Sequence, residues 1–176
     1  ANGLYEASEN TLSTCLENAI NHNDLLACKI ALQAGADVNK LSPNENNYPI
    51  TLACSKADIK IEIVALLIAA GADINIPEYS TLTALSLATQ NCRPDIVGLL
   101  LQNHAVTDPA DQPSFTTLQS ACFSKSSSVE IPQLLLEYGA NIYNTGSLAS
   151  QTPLQIAQAM SKQPLIDLLV AHGAQH

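Results

Sequence analysis

At 176 residues and 47% hydrophobic the chain can bury a sizeable core, yet aromatics make up 4% and tryptophan is absent, which suits thin layers of Leu, Ile and Ala. Its net charge of −9, with basic residues scattered singly as Lys29, Lys40, Lys56, Lys60, Arg93, Lys125 and Lys162, excludes the cation stripe that nucleic acid rewards. Cys15, Cys28, Cys54, Cys92 and Cys122 form no C-x-x-C spacing and are odd in number, which points to reduced thiols rather than a disulfide or metal framework.

In chain order, residues 1–10 are polar and read as a lead-in without assigned structure. From Thr11, the apolar Leu12, Cys15, Leu16, Ala19 and Ile20 keep the spacing of an amphipathic helix, with Asn10 or Thr11 as its cap. A second helix over about Asp24–Ala34 stops at Gly35, and the tight turn Gly35-Ala-Asp-Val-Asn39 follows. The same sequence of events then returns. Tyr48-Pro-Ile-Thr-Leu-Ala53 opens a helix, Ile63–Ile68 is nearly all apolar, and Gly71-Ala-Asp-Ile-Asn75 closes it. An apolar run of this length needs cover on more than one face, and it is too short to span a bilayer.

Further copies follow. Thr83-Ala-Leu-Ser-Leu-Ala88, Ile96–Leu101 and His104-Ala-Val-Thr-Asp108 form the third. Thr116-Thr-Leu-Gln-Ser-Ala121, Ile131–Leu136 and Gly139-Ala-Asn-Ile-Tyr143 form the fourth. Thr152-Pro-Leu-Gln-Ile-Ala157, Leu165–Val170 and Gly173-Ala174 form the fifth. The first residues of successive turns are 36, 33, 35 and 34 positions apart. Self-similarity near 33 residues with a Thr-Pro-Leu-x-x-Ala opening resembles the ankyrin repeat family over Thr11 to the C-terminus.

That resemblance implies an all-α solenoid of helix pairs with β-hairpin-like finger loops, as one domain over 11–176. The repeats fall at about 11–39, 40–75, 76–108, 109–143 and 144–176. Pro49 and Pro153 suit the first position of first helices, Pro94 and Pro164 the start of second helices, while Pro132 lies deep enough to shift its helix start. Repeats 2 and 4 carry two extra residues between their helices, at Ser55–Ile61 and Phe123–Val129. These longer turns read as tolerated insertions or as features that contact a partner. Two departures from the family pattern stand out. The slot that holds His in Thr-Pro-Leu-His is Glu17, Thr51, Ser86, Gln119 or Gln155, which weakens the family's usual Thr–His bonding between repeats. His104 replaces the turn glycine at a left-handed position, at a cost of ~1 kcal/mol.

Nothing in the sequence carries catalysis. It contains no G-x-S-x-G, P-loop, H-E-x-x-H or glycine-rich dinucleotide turn. His22, His104, His172 and His176 are isolated, and Asp37 and Asp73 read as turn residues bonding nearby N–H groups. No enzyme activity, cofactor or metal is expected. The resemblance instead implies protein–protein recognition through a concave face lined by finger tips and first helices. By register that face carries Tyr79, Leu82, Gln90, Gln112, Phe115, Phe123, Leu148 and Met160, and both of the chain's Phe residues lie on it.

The expected partner is a protein, not nucleic acid or membrane, and the chain is expected to be a monomer in the cytosol. The alternative is a targeting or spacer module whose catalytic domain lies outside this segment. An apolar last repeat leads to the expectation of further chain after His176. Asn, Gln and Ser richness resembles ankyrin proteins of intracellular bacteria, which places the module in a host cytosol if it is a secreted effector.

Overall fold

The structure, a computed structural model, describes residues 2–42, 44–76, 82–109, 115–126, 128–145 and 151–175, with side chains from Asn10 onward. Among the described residues ten helices follow one another: α1 (Asn2–Asn21), α2 (Leu25–Gln33), α3 (Pro49–Cys54), α4 (Ile61–Ala69), α5 (Ala84–Gln90), α6 (Pro94–Gln102), α7 (Thr117–Phe123), α8 (Glu130–Glu137), α9 (Pro153–Ala159) and α10 (Gln163–Ala171). Consecutive helices pack as five pairs. The first helices α1, α3, α5, α7 and α9 form one row, and α2, α4, α6 and α8 stack in a second. No strand occurs among the described residues. This is an all-α solenoid.

The helix starts follow from local chemistry. Asp24 caps α2, accepting from the N–H groups of Leu26 and Ala27 at 3.0 Å. Thr83 caps α5. Thr116 and Thr152 form capping boxes with Gln119 and Gln155, each side chain bonding the other's backbone N–H. Pro49, Pro94 and Pro153 each open a helix, where a missing N–H costs nothing. Pro132 sits within the first turn of α8, before any of its own N–H groups would bond inside the helix, so α8 starts at Glu130 undisturbed.

One expectation needs correction. The first helix does not begin at Thr11 but runs from Asn2 to Asn21, so most of the stretch read as a lead-in is helical. No proline interrupts it, and a helix nucleated farther along extends cheaply toward its N-terminus. Asn10 is therefore interior, and its carbonyl accepts the Thr14 hydroxyl at 2.8 Å.

The closing turns are built alike. Gly35, Gly71, Gly139 and Gly173 have φ between +87° and +98°. His104 takes the same left-handed place at φ 68° despite its side chain. Beyond each turn, Asp37, Asp73 and Asn141 accept the N–H two residues on, at 2.8, 3.0 and 2.9 Å. The last residue of the turn then reaches the next pair. Asn39 donates to the Gly71 carbonyl at 2.9 Å and accepts from Asp73 N–H at 2.8 Å. Asn75 does the same with the His104 carbonyl and Val106 N–H. Asp108, which has no donor when ionised, accepts from Asn141 N–H and the Asn144 amide instead. The Tyr143 hydroxyl donates to the Gly173 carbonyl.

The extra residues of the long turns are structural. Six residues link α3 to α4 and α7 to α8, against three in the other pairs. Each long turn is gripped from both neighbours. In the second pair, Asn23 donates to the Asp58 carbonyl and accepts from Lys60 N–H, both at 2.9 Å. From the other side Arg93 donates to the carbonyls of Ala57 and Ile59 at 2.9 and 2.8 Å, while its remaining N–H groups fork onto Asp95. That fork holds the Asp95 carboxyl below the usual range. In the fourth pair, Cys92 meets Ser124 at 3.2 Å and the Lys162 ammonium donates to the carbonyls of Cys122, Ser124 and Ser126. Asn23 and Cys92, like Arg93 and Lys162, stand 69 residues apart. Asn23 and Cys92 occupy one slot in alternate pairs, and Arg93 and Lys162 the slot after it.

Between the first two pairs, the unusual Glu17 finds its role. It is 2% exposed and accepts from the N–H groups of Asn44 and Glu45 and from the Asn44 amide. It thus holds the finger between α2 and α3, whose backbone folds back with Ser42 N–H on the Asn47 carbonyl at 2.9 Å. The later expected fingers fall largely on 77–81, 110–114 and 146–150, outside the described residues.

Ile63, Val64 and Leu67 of α4 are fully buried between neighbouring pairs. Leu67→Ala is expected to cost ~2–5 kcal/mol, read from the urea midpoint, and an unchanged midpoint would place Leu67 outside the core. The thiols divide by burial. Desolvation pushes Cys28 up to about 11 and Cys54 and Cys122 up to about 12, whereas Cys15 and Cys92 are exposed. A thiol reagent at neutral pH should modify Cys15 and Cys92 in the native protein and the other three only after unfolding. Native labelling of Cys122 would contradict this assignment.

Candidate functional site

The local fold around α7 brings the two Phe residues together. Phe115 immediately precedes the cap Thr116, and Phe123 is the last residue of the helix, about two turns later. Their rings meet edge to face, with centroids 5.0 Å apart and planes at 74°. They remain 44% and 41% exposed, so neither belongs to the core. Together with Gln90, Ser120 and Ser124 they line an open groove of about 500 Å³, with no charged side chain among these described lining residues.

Two features shape this groove. Ser120 occupies the slot that Leu52, Leu87 and Ile156 fill in other pairs, where those side chains are at most 8% exposed. A hydroxymethyl group in place of an isobutyl leaves the volume into which the rings open. The sequence carried this signal, a serine within an otherwise apolar slot, and the site residues predicted by register did not include it. The second feature is the end of α7. Ser124 is extended (φ −50°, ψ 141°) rather than left-handed, so the chain leaves the helix directly into the long turn. Lys162 takes up the carbonyls of Cys122 and Ser124, the residues on either side of Phe123. A cation at a helix C-terminus is favourable there, and it fixes the backbone that carries the ring.

The slot expected to hold His also serves the site. Gln119 is buried, accepts from Thr116 N–H at 2.8 Å and donates through Nε2 to the Gln151 carbonyl of the fifth pair at 2.6 Å. An amide therefore makes a bond between neighbouring pairs where the family's imidazole is missing.

Of the residues predicted for binding, Gln90, Phe115 and Phe123 share the groove. Leu82 is half-buried against the core. Met160 is 39% exposed but lines a separate depression with Ser126, Ser128 and Lys162. Tyr79, Gln112 and Leu148 lie outside the described residues. Among the described residues no cluster of His, Cys, Asp or Glu could hold a metal ion, and no helix is long and apolar enough to cross a membrane.

These features can be set beside known proteins. The chain is 29% identical over 172 residues to an ankyrin repeat protein of Fowlpox virus (strain NVSL), a match covering 96% of this chain and 49% of that protein. The chain thus spans about half the length of its curated relative. The family described as ankyrin repeats (3 copies) matches residues 16–112, more than half of the 176. Glycine-stopped helix pairs, Asn-linked turns and this match lead to one assignment: the chain belongs to the ankyrin repeat family.

Proposed function

We propose that the chain is a non-enzymatic recognition module that binds a protein partner on the face carrying Phe115 and Phe123. Ankyrin repeats are generally protein–protein interaction modules. The observation that carries the reading is the exposed edge-to-face ring pair in a groove whose described lining is uncharged. Exposed apolar patches of this kind mark interaction sites, and buried aromatic anchors dominate binding energies. All five helix pairs are read as repeats, with bounds near 11–39, 40–75, 76–108, 109–143 and 144–176, and the groove lies on the concave face of the array. The partner presents an apolar side chain to the rings from a peptide or helix. Gln90 supplies polar contact at one edge, and Tyr79, Gln112 and Leu148 are read as further contacts from the register of the sequence alone.

A second reading, a targeting or spacer module of a larger protein with its catalytic part elsewhere, draws support from the poxviral relative's greater length. A viral relative also supports action in the cytosol of a host cell, where buried thiols stay reduced.

Peptides selected against the wild-type chain from a random display library provide the test, with affinities then measured by calorimetry. Phe115→Ala and Phe123→Ala should each weaken binding at least tenfold, about 1.4 kcal/mol. Because the rings are partly exposed, the loss of stability should fall well short of the ~3–5 kcal/mol of a core Phe→Ala change. Unchanged affinity in both variants would move the binding surface elsewhere, and unfolding would return the rings to the core.

A further inference from the structure

The joint between the third and fourth pairs differs from that between the first and second in side chains that converge on one place. At the earlier joint Ile20 and Ile59 are buried, and Asn23 spans the gap with its amide. The same slots 69 positions later hold Thr89, Ser128 and Cys92. Each replacement is smaller than its counterpart, and all of them line a cavity of about 160 Å³. That is room for about five water molecules at ~30 Å³ each, or for a short organic chain.

Thr89 shows that this space is more than a packing gap. It is 1% exposed, and its hydroxyl has no hydrogen-bond partner among the described residues. A buried hydroxyl left unpaired is unfavourable, so one in the wall of a cavity points to a polar ligand that meets it there. Cys92 supplies a reactive group beside it. The thiol is exposed, and the slot has the same left-handed backbone, φ 54°, that in Asn23 carries the side chain to the long turn. Ser124 Oγ lies 3.2 Å from the sulfur and accepts Ser126 N–H at 3.1 Å, so its own proton is available to the sulfur. Among the described residues that line the cavity, Glu130 is the one charged side chain, exposed at the start of α8.

We propose that Cys92 is a modification site for a small aminothiol, delivered as its symmetrical disulfide. The Cys92 thiol gives up its proton, and the thiolate attacks one sulfur of the disulfide. A new S–S bond joins Cys92 to one aminothiol, the old S–S bond breaks, and the other half leaves as a thiolate that takes up a proton. The short chain fits the cavity, and its ammonium offers donors to the Thr89 oxygen and the Glu130 carboxylate. A net charge of −9 also draws a cationic disulfide in preference to an anionic one.

The test uses the full chain and cystamine, the disulfide of aminoethanethiol, with the other exposed thiol, Cys15, as internal reference. Peptide mapping by mass spectrometry at neutral pH follows both sites. Cystamine should modify Cys92 at least about tenfold faster than Cys15, and the anionic disulfide of thioglycolate should lose that preference. Ser128→Ile, which restores the filling of the earlier joint, should slow Cys92 at least about tenfold and leave Cys15 unchanged. Thr89→Val and Glu130→Gln should each slow the reaction of Cys92 with cystamine. Circular dichroism checks that the variants stay helical, and Ser128→Val takes the place of Ser128→Ile should that one unfold. A Cys92 that reacts no faster than Cys15, or equally fast with the cavity filled, overturns the proposal. Equal preference for the cationic and anionic disulfides also overturns it, because Cys92 is then an accessible thiol with no amine site.

Discussion

No helix pair in this chain can bury its own apolar side chains, and everything else in the structure answers that constraint. Two short helices make a layer one helix thick, with apolar residues on both broad sides. Ile63 and Leu67 are sealed only because pairs on either side cover them. Stability is therefore a sum of pair and neighbour terms, and each local device acts at a joint between pairs. The left-handed closing turn sets the height of each layer, and the Asn39 and Asn75 amides tie one closing turn to the next. When the linking residue changes to Asp108 or Tyr143, the bonding pattern adapts to its donors and acceptors, and the joint persists.

The same constraint explains why the candidate groove depends on residues far from it. Phe123 ends a seven-residue helix, too short to hold its last turn rigidly by itself. Its position is fixed by Lys162, 39 residues later, through the flanking carbonyls. Gln119 adds a second tie to the fifth pair at the Gln151 carbonyl. The recognition surface of one pair is thus held in place by the next, which is how a stack of marginal layers presents a defined face.

Periodicity made the register, the glycine stops, the proline starts and the turn aspartates legible in the sequence, because each depends on residues within one turn of one another. The groove was legible in part. Phe115 and Phe123 could be placed on one side of a helix by their spacing, but the room beside them comes from Ser120, whose small side chain stands out only once the slots of all pairs are aligned. The roles of Arg93 and Lys162 were not legible, because their acceptors are backbone carbonyls that no residue type announces. For the same reason the long turns read only as tolerated insertions or as features that contact a partner. The start of α1 was misplaced because polar composition hides a helix that nothing interrupts.

The paired grip on the long turns has a consequence for how such an array changes length. A cation in the slot of Arg93 or Lys162 needs a long turn behind it to receive its N–H groups, and each long turn needs such a cation ahead. Removing a long layer would set a cation against a three-residue connection, and removing the third layer would set two long turns side by side. Removing two adjacent layers keeps every cation matched to a receiving turn. The unit that can be duplicated or lost without penalty is therefore the double layer of 68 or 69 residues, not the single motif. Gene copies of this architecture should differ in length by multiples of that double step.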